Sequence, residues 1–381
     1  MLTVWHCQSV RSRFINAQKS FSGLRRPGRN GWLALALASL TGISALWILG
    51  PLGGKDIRQR RREATEYFLQ AAQLERQGKL VASVEKLREC MQLVQGHPDA
   101  FERLVTILSM QGRNAEAAEV IWNTYRHIPT QRLQRRMRLL VFLWSVDSDT
   151  RTPERLRQSI SQLRQSMKVE PEFENRFALA FNYVIRGNHE DLAEAQSLLQ
   201  QCLRERPENI QVRSWLFRCL LGLQKVTQAG KLLEGLPDSV ENNPDILMMR
   251  AQYAMALDRP DEAMEPYRKL LQHRPMDSEA HHQLGRILGE KGQQEESEKH
   301  LRLHEDVTLY YQEAETVLDE LLHLYGTSLV DSGELCYRMG FITEKMGYSK
   351  ESYYWYEVSL EHRPEHTETV EALDRLQSFA E

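Results

Sequence analysis

The sequence lacks any C-x-x-C pair: Cys7, Cys90, Cys202, Cys219 and Cys336 stand apart in a chain of 381 residues. Zinc knuckles and dithiol redox motifs are therefore excluded. Stretches of the form G-x-x-x-x-G-K-[ST], G-x-G-x-x-G, G-x-S-x-G and H-E-x-x-H are missing too. Those absences remove the glycine loops that cradle phosphates, the nucleophile elbow and the zinc-protease helix. Glu296, His300 and His304 fall on one face of a predicted helix. No fourth ligand follows at a defined spacing, so they read as a solvated face. Carboxylate pairs such as Glu295–Glu296 lie in charged helical stretches, and only a short tail follows Pro364. No cofactor, metal or catalytic site is expected.

Residues 1–55 contain neither Asp nor Glu. Arg11, Arg13, Lys19, Arg25, Arg26 and Arg29 precede an uncharged apolar run from Trp32 to Leu49. As a helix, that run spans roughly 27 Å, enough for the hydrocarbon layer. Trp32 and Trp47 suit the two interfaces, and Gly50-Pro51 ends the run. The sequence thus predicts a basic leader (1–31), one transmembrane helix (32–52) and a basic linker (53–63). The long leader and long apolar core argue against a cleaved signal peptide. A bacterial inner membrane is the expected location. An acid-free leader with Arg and Ser also has the composition of a mitochondrial transit peptide, which makes the mitochondrial inner membrane the alternative. Basic residues on the two flanks nearly cancel, and an extracytoplasmic placement of the remainder is preferred.

Charge separates the two parts. Residues 1–62 hold eleven Lys and Arg against Asp56, a net of plus ten; the whole chain is minus three, so the rest carries minus thirteen. An acidic body is a poor polynucleotide binder, because phosphates need a cationic face. The basic linker suits anionic lipid head groups instead.

What the remainder has in plenty is periodicity. In a frame of about 34 residues starting at Pro244, Ala251, Ala254, Ala263, Tyr267, Leu270 and Pro275 take fixed places. The next frame, from Ser278, puts Leu284, Gly285, Leu288, Gly292, Ser297 and Leu301 at the same places, with His304 and no proline after it. A frame from Gly333 supplies Met339, Gly340, Gly347, Ser352, Tyr356, Ser359 and Pro364. Further copies begin near Ala64, Pro98, Phe173 and Ile210, with Phe217 and Gln224 replacing a small residue and a glycine, and Gln131–Glu172 forms a degenerate copy. Two antiparallel helices cross closely only where side chains are small, while bulky ones fill the flanks. Cys90 and Cys202 fall at one of the small positions, where a buried thiol is a compact filler.

This pattern resembles the tetratricopeptide repeat. The resemblance implies an all-α, right-handed helical-repeat solenoid of about eight helix pairs over 64–381, carried behind the membrane helix. Near 303–325 the frame is interrupted. Leu303, Val307, Tyr310, Ala314, Val317, Leu321 and Leu324 form a heptad seam there. An extra helix packed on the solenoid is the preferred reading of Leu303–Leu324, and a homodimer contact is the sharper one.

In that family the first helix of each repeat lines a concave wall, with the second, fifth, ninth and twelfth positions pointing into it. The residues so placed include Phe177, Phe181, Arg218, Met248, Gln252, Met255, His282, Arg286, Tyr337 and Phe341, with Trp215 at the edge. No frame has the Lys and Asn with which chaperone-binding members clamp a terminal carboxylate. A wall of Met, aromatic and Arg side chains suits a peptide with apolar anchors and an acidic residue. The expected function is a non-catalytic scaffold or adaptor holding a protein partner at a membrane surface. The alternative is an accessory subunit of an envelope or organelle-membrane assembly, such as a secretion, pilus or respiratory complex.

Overall fold

The computed structural model describes residues 57–94, 97–127, 140, 153–324 and 329–377. The chain divides into residues 1–62 and residues 63–381. The predicted leader and transmembrane helix lie outside the described residues, as does much of the degenerate copy after Gln131. Among the described residues no helix is long and apolar enough to cross a membrane.

Every regular element described is helical. Helix pairs follow one another: α1 (57–76) with α2 (Leu80–Leu93), then α3 (Pro98–Met110) with α4 (Asn114–Arg126). Among the described residues, α5 (Pro153–Val169) then precedes α6 (Phe173–Arg186) and α7 (His189–Glu205). Next come α8 (Ile210–Gly222) with the short α9 (Val226–Lys231), and α10 (Pro244–Ala256) with α11 (Pro260–His273). The array ends with α12 (Ser278–Glu290), α13 (Gln294–Leu324), α14 (Leu329–Lys345), α15 (Ser349–His362) and α16 (Thr367–Leu376).

The periodic residues set the boundaries. Asn209, Asn243 and Asp277 cap α8, α10 and α12 by accepting from the backbone N–H groups of Val212, Asp245 and Ala280. Between the helices of a pair the chain turns through a left-handed residue, Gly78 or Gly112 in the first two pairs. Gln224 and Asp258 take that role in later pairs with φ of 58° and 57°. A side chain in that conformation costs about 1 kcal/mol that glycine avoids. The small positions do what the crossing requires. Ser297 Oγ donates to the Gly285 carbonyl at 2.7 Å, Ser352 Oγ to that of Gly340 at 2.9 Å, and Ser83 Oγ to that of Ala71 at 3.2 Å. The same device thus locks three separate pairs. Cys90 and Cys202 are fully buried, and burial pushes both thiols up to about 11.

The frame fails where its stop signal is missing. One repeat length after Pro275 stands Leu309, so nothing halts the second helix, and α13 runs for 31 residues. Its seam is consumed inside the chain: Val307, Ala314, Val317 and Leu321 are buried, and the last three belong to the same core cluster as Cys336 and Met339 of α14. These four side chains have no surface left for a second copy. The packed-helix reading therefore describes these four residues.

Candidate peptide cleft on the inner helices

The first helices of the central repeats border a cleft of about 690 Å³. One side comes from Trp215 and Arg218 of α8 and from Asp245 and Met248 of α10. The turn from His273 to Asp277 and the start of α12 form its floor, while Tyr311 of α13 and Met346, Gly347 and Tyr348 complete the border. The apolar content includes Trp215, Met248, Pro275, Met276, Tyr311 and Met346.

Charge within the cleft is not evenly spent. Arg274 is tied to Asp245 at 2.7 Å. Arg218 instead lays its guanidinium over the Trp215 ring at 5.0 Å and remains exposed. Trp215 is itself fixed edge-on against Phe181, with ring centroids 4.6 Å apart. A cation held on an aromatic face beside Met248 offers a carboxylate an ion pair with no need to break another.

The remaining wall residues separate by environment. Phe177 and Phe181, expected on the wall, are each only 4% exposed. They stack with Phe173 in a ladder along α6. The turn after α3 packs onto that ladder: a Cβ on Gly112 would meet Phe181 at 3.0 Å, and Asn182 Nδ2 donates to the Met110 carbonyl at 2.9 Å. These two rings are core. Gln252 donates to Glu279 at 2.7 Å, Met255 packs on the cluster around Ala251 and Tyr267, and Arg286 pairs with Glu290 at 3.7 Å. Tyr337 packs against His366 and Tyr356. Phe341 is exposed under the Lys345 ammonium. None of these six, His282 included, borders the cleft.

The histidines expected on a solvated face turn inward instead. His300 Nδ1 lies 2.8 Å from His281 Nδ1, and His304 Nδ1 lies 2.8 Å from Ser278 Oγ. Burial, then the neighbouring His281, holds the His300 imidazole below its ordinary range. His282 stacks its ring on His304 at 4.8 Å. They join α12 to α13, and among the described residues no group of three or more His, Cys, Asp or Glu is arranged to hold a metal ion.

Frame counting reaches Asp245, the second position of its frame, but not Arg274, Tyr311, Met346 or Tyr348. Tyr311 sits in the stretch where the frame lapses, and Met346–Tyr348 is a turn, which a rule about first-helix positions never inspects.

Comparison with known proteins agrees with the helix-pair unit. Residues 189–253 match the tetratricopeptide repeat family. No curated protein matches. Among solved structures, the chain is similar to a tetratricopeptide repeat protein from Parabacteroides merdae at 12% identity, over 83% of this chain and 99% of that one, with a TM-score of 0.36. It is similar to TTC0263, a thermophilic TPR protein of Thermus thermophilus, at 17% identity over 54% and 100%, TM-score 0.32. Likeness to MamA of MSR-1 is 22% over 40% and 86%, TM-score 0.32.

Proposed function

We propose that this chain is a non-catalytic receptor for a partner protein, holding an extended, acidic and apolar segment of that partner in the cleft. Stacked helix pairs generally serve protein partners through such inner surfaces. The observation that carries the reading is Arg218, exposed on Trp215 in a cleft it shares with Met248, Tyr311 and Met346. A pre-formed wall spares the receptor most of the ordering cost of binding.

The test uses the full-length chain against random dodecapeptides. Selected peptides should carry Asp or Glu beside Leu, Met or an aromatic residue. Arg218→Glu and Met248→Glu should each weaken them about tenfold or more, and Arg204→Glu, outside the cleft, should leave them unchanged. Equal binding by all three variants sinks the assignment.

The second part of the proposal is that residues 32–52 present this receptor at a membrane surface. Its support is the uncharged run Trp32–Leu49 between two basic flanks. Carbonate extraction should leave the intact chain with the membrane pellet and release a variant lacking residues 1–52. Release of the intact chain overturns the membrane part and leaves the cleft untouched.

A further inference from the structure

Helix pairs stacked in a row touch only their neighbours. Here α4, from the second pair, also meets α15, from the last. Tyr354 of α15 sits edge-on to Tyr125 with ring centroids 4.8 Å apart, and its ring lies 5.1 Å from that of Trp122. Lys350, one turn earlier on α15, holds its ammonium 5.3 Å from the Trp122 ring. Tyr125 is buried, whereas Trp122, Tyr354 and Lys350 keep part of their surface in water.

The location of this contact gives it a consequence. Met346, Gly347 and Tyr348, which border the cleft, run directly into α15. Tyr348 caps that helix, and Lys350 and Tyr354 occupy its first two turns. One rigid helix therefore carries the cleft's border at its entrance and the aromatic contact just behind it. The α14–α15 pair is braced as one unit, because Tyr356 packs against Gly340 and Ser352 Oγ donates to the Gly340 carbonyl. A contact made of ring edges and a half-exposed ammonium can in principle part and re-form with every helix intact.

We propose that Trp122, Tyr125, Lys350 and Tyr354 form a latch that sets the width of the cleft. With the latch closed, the turn 346–348 stands at the cleft's edge; with it released, the α14–α15 body swings and the cleft opens to a peptide. The proposal deepens the receptor reading, since it concerns access to that same cleft, but its test needs no ligand.

Spin labels at Glu241→Cys and Lys345→Cys, in a full-length chain also carrying Cys7→Ser, report the distance between the central repeats and the turn. Both positions are exposed, and Cys90, Cys202, Cys219 and Cys336 are buried. The parent should give one narrow distance distribution. Trp122→Ala with Tyr354→Ala should shift part of that distribution to a longer, broader population that the parent does not show. Tyr354→Phe, which keeps the ring, should behave as the parent. An unchanged narrow distribution in the double alanine variant, with helicity intact, overturns the latch.

Should the double variant not fold, hydrogen exchange on the parent decides. Amides in the last turn of α4 and the first turn of α15 should share one opening event, and independent opening refutes the proposal. Failure of the peptide selection with a positive label result would remove the ligand class and keep the latch. The reverse pattern would keep the cleft as a fixed site.

Discussion

Leu309→Pro should lower the unfolding free energy by about 3 kcal/mol, although it alters a side chain that is 60% exposed. Proline at that place removes one backbone hydrogen bond of α13 and drives its ring into the carbonyl of Glu305, one turn back. The companion Leu309→Ala removes the same exposed side chain and should stay within about 0.5 kcal/mol of the parent. The difference between the two variants isolates the backbone. It is large because the second half of α13 carries Ala314, Val317 and Leu321 into the core against α14. Interrupting the helix at its middle loosens that whole half. Urea titration of both variants provides the measurement. Were proline as well tolerated as alanine, α13 would not be one continuous helix, and the lapse in the repeat frame would need another cause.

Leu309 also marks how far sequence reasoning reaches. A frame of period about 34 finds whatever is decided between neighbours. It located the small residues Gly285, Ser297, Gly340 and Ser352, whose side chains and carbonyls now meet across the crossings. It also located the missing stop after His304, hence the departure from pattern. What it could not carry is any contact that skips a repeat. Asn182 reaches the Met110 carbonyl and Gln211 Nε2 reaches the Gly112 carbonyl at 3.3 Å, over sequence distances the frame never compares. Periodicity alone places Phe177 and Phe181 on the wall. The turn after α3 covers that part of α6, so their environment is decided by a helix two pairs away.

The cleft follows the same division. Trp215, Arg218 and Met248 are first-helix residues of adjacent repeats, and position in the frame is enough to bring them together. Tyr311 and Met346 reach the same space because the last helices return toward the central ones. No local pattern of spacing encodes that return. The second helix of the Ile210 copy breaks down for a more local reason. Gly230 in α9, the left-handed Gly235 and Pro237 follow in quick succession, each weakening a continued helix.

The crossing of α14 and α15 sets a strict packing demand, and Gly340→Leu should cost about 3 kcal/mol. A Cβ at that position would stand 2.6 Å from the Tyr356 ring. The ring has nowhere to retreat: Tyr356 is 1% exposed, and its hydroxyl donates to Glu344 Oε2 at 2.8 Å. Burial, then that hydrogen bond, raises the phenol's pKa well above its ordinary value, so it remains a donor at neutral pH. On the other side, Ser352 Oγ ties α15 to the Gly340 carbonyl, and Thr343 Oγ1 adds a contact at 3.0 Å. Added volume must therefore push the helices apart or break those bonds. Gly222→Ala supplies the contrast, because its Cβ would press on a Leu192 methyl at 2.9 Å, the free end of a side chain that can change rotamer. That variant should lose less than about 1.5 kcal/mol. Thermal unfolding of the two side by side separates close helix contact from a generic aversion to replacing glycine. Equal losses would mean that the α14–α15 crossing is looser than its hydrogen bonds imply. The rigid body that the latch requires would then be lost with it.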